Sequence, residues 1–179
     1  NIQNLKFNLP GRHNLSNALI ALAMAVEFGC SPIRLASALA SYKGVKRRFT
    51  YQIKTDELVF IDDYAHHPEE INAVHQAIRE MYPNQKVLAI FQPHLFSRTK
   101  DFADEFARSL EKFDHVLLLD IYPARELPIE GVNSQWLLDK IDNVNKKLIA
   151  KFEIVKEIQK SDIKVIVTIG AGDIGAEVK

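Results

Sequence analysis

Between residues 15 and 28 nearly every position is apolar or small, which reads as a buried helix ended by Gly29. Ser31 and Pro32 then offer an N-cap and a first helical residue for a second helix running to about Tyr42. The basic, Gly-containing stretch Lys43–Arg48 reads as a linker. Beyond it the texture changes. Residues 49–53 and 58–61 are β-rich runs around Thr55-Asp56-Glu57, a predicted hairpin. Apolar strands at 86–91, 115–119 and 164–169, with a shorter one at 147–150, then alternate with amphipathic helices at 68–81, 100–113, 134–141 and 152–160. In the second of these helices Phe102, Phe106, Leu110 and Phe113 form one apolar stripe, read as core. The alternation predicts an α/β fold: a mostly parallel sheet with helices on both faces.

The polar residues fall where such a sheet binds ligands. Four apolar runs end in polar clusters: DDYAHHP from Asp62, QPHLFSRT from Gln92, DIYPARE from Asp120 and GAGDIG from Gly170. Parallel sheets bind ligands outside the carboxyl ends of their strands. The clusters therefore define one candidate rim with Asp62, Asp63, Tyr64, His66, His67, His94, Arg98, Arg125 and Glu126. His94 and Arg98 suit an anionic ligand, unless Arg98 instead pairs with Asp101 or Asp104.

Other readings compete at each cluster. His66 and His67 stand at i,i+3 spacing from Glu69 and Glu70, but Pro68 is expected to open the helix after both histidines. No protein-bound metal is expected there. GAGDIG is formally a dinucleotide fingerprint without the second strand and acidic residue such a unit needs. It reads better as a glycine turn whose backbone faces an anion. Asn14 and Asn17, three apart at the start of the first helix, are either a cap and its neighbour or a pair of amides facing one ligand.

Composition narrows the classes. Hydrophobic residues make up 47% of the 179 residues, enough for a packed core. Lys+Arg and Asp+Glu are both 23, so no basic excess points to nucleic acid. The longest apolar run, 18–26, is too short to cross a bilayer. A single cysteine, Cys30, supports neither a disulfide framework nor a cysteine zinc site. A cytoplasmic protein is expected, and the start at Asn1, without Met or leader pattern, suggests a piece of a longer chain.

Taken in order, GRHNLSNALIALA, KRRF, DDYAHHP, FQPHLFSRT, DIYPARE and GAGDIG resemble the carboxyl-terminal portion of the Mur ligases, over essentially the whole chain. DDYAHHP with FQPHLFSRT resembles the branch that adds L-alanine to UDP-N-acetylmuramate. The murein tripeptide ligases typically differ at Tyr64 and in the segment occupied here by QPHLFSRT. The resemblance implies that residues 1–46 are the tail of a central ATPase domain, a two-helix remnant, and that 47–179 are a Rossmann-like domain for the incoming amino acid. It implies ATP and Mg2+ as cofactors of the full-length enzyme, held tightly by no part of this chain alone, and an acyl phosphate on the muramoyl carboxylate that L-alanine attacks. By the same resemblance Asn14, Asn17, Arg48 and Asp63 face the nucleotide. Tyr64, His66, His94 and Arg98 face the substrates, with His66 and Arg98 closest to the chemistry. No GxxxxGK[ST] phosphate loop occurs in these residues. Leu95 stands where some members carry a basic residue. The competing classes are a stand-alone anion-binding module and, more remotely, a dinucleotide-dependent oxidoreductase.

Overall fold

The computed structural model describes residues 5–177, and the side chains of 5–176. The chain divides into two compact units, up to Lys46 and from Arg47 onward.

The first unit is a helix pair, α1 (Arg12–Glu27) and α2 (Pro32–Ser41). Gly11, in the left-handed region at φ 89°, precedes α1, so the helix opens three residues before the apolar run. The Asn14 amide lies inside the first turn and donates to the Pro10 carbonyl at 2.7 Å. Asn14 is thus not the N-cap. After α1 the chain turns through Gly29 at φ 82°, and Ser31 with Pro32 opens α2. The expectation of a buried α1 does not hold: Leu15, Leu19, Ile20 and Met24 are all more than half exposed, and only Asn14 is buried. A helix apolar on every side needs neighbours on every side. Its unit supplies α2 alone among the described helices.

The second unit is a six-stranded sheet in the order β1-β2-β6-β3-β4-β5. Its strands are β1 (Thr50–Lys54), β2 (Val59–Asp63), β3 (Val87–Phe91), β4 (His115–Leu118), β5 (Lys146–Leu148) and β6 (Val165–Ile169). β1 and β2 form the antiparallel hairpin, closed by Thr55, whose amide donates to the Leu58 carbonyl at 3.0 Å. Every other pairing is parallel.

The pleat alternates side chains between two cores. Val87, Ala89 and Phe91 of β3 face one side with α3 (Pro68–Met81), α5 (Ala103–Leu110) and α6 (Ser134–Lys140). Leu88 and Ile90 face the other with Ile154 and Ile158 of α7 (Ile154–Lys160). Strands buried on both faces explain the continuous apolar runs. The helix predicted at 100–113 is two helices, α4 (Phe96–Asp101) and α5, broken at Phe102 where φ is −118° and ψ 24°. α4 escaped notice because its sequence, FSRTKD, is mostly polar and only Thr99 is buried. A short 3-10 turn (Lys151–Glu153) leads into α7, and the terminal turn is α8 (Ile174–Glu177).

Candidate functional site

The strands converge their polar ends on one rim. β2 and β3, which carry the His66 and Arg98 clusters, are not neighbours; β6 lies between them and pairs with both. The glycine turn after β6 therefore occupies the centre of the rim, where the connection after β6 diverges from those after β2 and β3. This is the crevice at which open α/β sheets bind ligands.

The two aspartates at the end of β2 do different work. Asp62, 1% exposed, accepts from the Thr168 hydroxyl at 3.1 Å and from Arg47 Nε at 3.2 Å. Asp63 accepts from the amides of Phe49 at 2.7 Å and Ala65 at 2.8 Å. Burial pushes the Asp63 carboxyl up to about 6 although both amides pull it down, as does nearby Arg48. Arg48 itself is exposed.

The Tyr64–His67 segment is held by Glu70, whose carboxylate accepts from the amides of His66 at 2.8 Å and His67 at 3.2 Å. Glu70 also lies 3.3 Å from His66 Nδ1. The histidines precede Pro68 as predicted, and Glu70 closes the N-terminus of α3. His67 turns inward, its ring 4.6 Å from that of Phe102. His66 turns to the rim. Its ring stands 5.5 Å from Tyr64 and 6.3 Å from His94, bridging the gap that β6 opens.

Leu95, in the left-handed region at φ 74°, swings the chain from β3 into α4. His94 stacks on Tyr122 at 5.6 Å and lies 3.3 Å from Arg98 Nη1. Burial, then Arg98, then His66 push the His94 imidazole below its ordinary value, against the upward pull of Glu126. Arg98 is half-buried and turned toward His94; Asp104 pairs with Lys140 instead. Glu126 accepts from both the amide and the hydroxyl of Ser97, fastening the turn after β4 to α4, while Arg125 is exposed.

The glycine turn is more committed than its sequence implied. Its Gly170 amide donates to the Asp63 carbonyl and its Ile174 amide to buried Gln92. The carbonyls of Gly170 and Gly172 accept from the Arg47 guanidinium at 2.6 and 3.1 Å. A Cβ on Gly172 would come within 2.8 Å of Tyr122, so close packing demands that glycine. Gln92 also holds Asp173 at 2.7 Å, and Asp173 pairs with Lys151. Past Tyr122 a cleft of about 440 Å³ opens between Asp120, Lys151, Phe152 and Asp173. Arg47 is the residue that sequence reasoning missed, because it lay in a supposed linker. The buried acidic doublet at 62–63 was the available signal, since a buried carboxylate calls for a cationic partner.

No three or more His, Cys, Asp or Glu side chains gather in a metal-holding group among the described residues. None of the described helices is long and apolar enough to cross a membrane.

The second unit is a Rossmann-like α/β domain with a histidine- and arginine-bearing rim around a central glycine turn. Residues 47–174 match the family described as Mur ligase, glutamate ligase domain. The chain belongs to the Mur ligase family. It is 70% identical over 175 residues to a UDP-N-acetylmuramate–L-alanine ligase of Flavobacterium psychrophilum, covering 98% of this chain and 39% of that protein. A ligase of the same name from Christiangramia forsetii is 68% identical, with 99% and 39% covered. The crystal structure of the UDP-N-acetylmuramate–alanine ligase of Thermotoga maritima superposes with a TM-score of 0.78 at 28% identity, over 97% of this chain and 38% of that one. A murein peptide ligase of Psychrobacter arcticus shares the fold, with a TM-score of 0.68 at 22% identity over 97% of this chain and 37% of that one. The chain thus spans about two fifths of the length of the relatives it matches.

Proposed function

We propose that this chain is part of a cytoplasmic, ATP-dependent ligase that joins L-alanine to UDP-N-acetylmuramate in peptidoglycan precursor synthesis. The observation that carries the reading is the 70% identity to a ligase of that name along nearly the whole chain. On this reading residues 1–46 end the central ATPase domain and residues 47–179 form the amino-acid-handling domain. The remaining domains of the same protein are its partners.

The residues divide by side. Tyr64, His66, His94 and Arg98 form a contiguous edge suited to carboxylate and phosphate oxygens. Arg98 offers a planar two-pronged donor, and His94, held toward its neutral form, offers a polar ring without a competing charge. Asn17 and Arg48 are exposed and free to face a nucleotide, and Asn14 fixes the helix start that presents Asn17. Asp63 holds Phe49, the residue after Arg48. ATP supplies the phosphoryl group that activates the muramoyl carboxylate. Mg2+ would accompany ATP in the full-length enzyme; among the described residues no three or more His, Cys, Asp or Glu side chains gather to hold it.

The test is Arg98→Lys and His66→Ala in the full-length enzyme, assayed at saturating ATP. Loss of an aligned donor to developing charge costs about 2.7–4 kcal/mol. Catalytic efficiency for L-alanine is expected to fall at least tenfold in Arg98→Lys, with a smaller fall for His66→Ala. Values within twofold of wild type in both would refute the assignment.

A further inference from the structure

We propose that Arg47 is a positioning residue for the amino-acid edge, acting through Tyr64 and the glycine turn; this rests on the reading of Tyr64 and His66 as substrate-facing. Arg47 reaches into the rim's centre. Its guanidinium pairs with buried Asp62 and donates to the carbonyls of Gly170 and Gly172. The same group lies 5.1 Å from the centroid of the Tyr64 ring, within cation–π range. Its own carbonyl accepts from the Tyr64 amide at 2.6 Å. One side chain thus spans the ends of β2 and β6, and its guanidinium lies over the ring of Tyr64.

The backbone bears the cost of that placement. Arg47 and Phe49 both adopt left-handed conformations, at φ 61° and 47°, which residues with a side chain rarely take. Asp63 holds Phe49 there through its amide, and the network above holds Arg47. Two strained residues on either side of Arg48, each fastened to the rim, are built to fix a geometry. A lysine cannot reproduce it, because a point charge lacks the separate prongs that reach Asp62, Gly170 and Gly172 together.

Gly175 supplies an independent handle. A Cβ there would collide with the Arg47 guanidinium, although Gly175 lies in α8 where alanine is the better helix former. Gly175→Ala therefore dislodges Arg47 without removing its charge.

The experiment compares Arg47→Ala, Arg47→Lys, Gly175→Ala and the double variant Arg47→Ala/Gly175→Ala in the full-length enzyme. All three single variants are expected to raise KM for L-alanine about fivefold or more, with KM for ATP within twofold. The double variant is expected to be no worse than Arg47→Ala, since the collision is gone. An unchanged L-alanine KM, or equal rises in both KM values, would overturn the proposal, as would additive losses in the double variant. Hydrogen exchange on the 179-residue chain provides a second arm independent of activity. Arg47→Lys and Gly175→Ala are expected to speed amide exchange at residues 62–66 and 170–175 together while sparing 115–118. Protection unchanged in either segment overturns the proposal. Absence of L-alanine-dependent phosphate release in the wild-type full-length protein would instead refute the ligase reading, leaving the exchange arm to decide on Arg47.

Discussion

Burial lifts the Asp63 carboxyl to about 6 from an ordinary 3.8, against the amides of Phe49 and Ala65 that pull the other way. Between those two values the folded chain holds the proton more tightly than the unfolded chain does. The stability contributed by this group is therefore full below about pH 4 and declines as pH rises to about 6, by roughly 3 kcal/mol at 1.36 kcal/mol per pKa unit. Asp63→Asn does not titrate. The difference in unfolding free energy, wild type minus variant, is expected to shrink from pH 4 to pH 6 in urea titrations of the chain. A difference that grows over that window would show that the amide bonds, rather than desolvation, dominate the site. The same residue shows what pattern reading reaches: the doublet at 62–63 announced a strand end and a charged rim. It did not announce that Asp62 serves Arg47 while Asp63 serves backbone amides, because that division depends on which way each side chain leaves the pleat.

Among the helices, α5 and α1 carry apolar faces with opposite fates. Phe106 of α5 is fully buried, its ring 5.5 Å from that of Phe91 on β3. Phe106→Ala is expected to cost about 3–5 kcal/mol of stability in chemical denaturation. Leu19 on α1 is 62% exposed, and Leu19→Ala is expected to stay within about 0.5 kcal/mol. A large cost at Leu19 would mean that α1 is covered after all. The stripe Phe102-Phe106-Leu110-Phe113 made α5 legible, since a periodic face needs only a sheet to pack on. Burial of α1 was not legible, because an all-round apolar helix says that neighbours exist without saying that they lie in the same stretch of chain. The break at Phe102 and the start of α4 escaped for a local reason. Leu95 adopts φ 74° and accepts from both the amide and the hydroxyl of Thr99, and hydropathy carries no trace of such a turn.

At the scale of the whole chain, two compact units stand in sequence, and the 179 residues contain no GxxxxGK[ST] phosphate loop. Phosphoryl transfer depends on a phosphate cradle and a metal that together position and neutralise the γ-phosphate. The chain supplied with ATP, Mg2+, UDP-N-acetylmuramate and L-alanine is therefore expected to release no phosphate above blank, and release above blank would show that it holds a cradle of another kind. The strand order was the least legible property at this scale. Alternation predicts which segments are strands, but β6, latest in the chain, takes the third place in the sheet. Val165 aligns with Val59 on one side and Val87 on the other. Contacts this distant in sequence close late in folding, because the loop entropy is lost before the pairing is gained. While the protein is being made, then, a ribosome that has not yet released residues 165–169 has produced a hairpin and a three-stranded piece with facing, unsatisfied edges. Until residues 165–169 emerge those edges lack their native partner, and the nascent protein is open to mispairing along them.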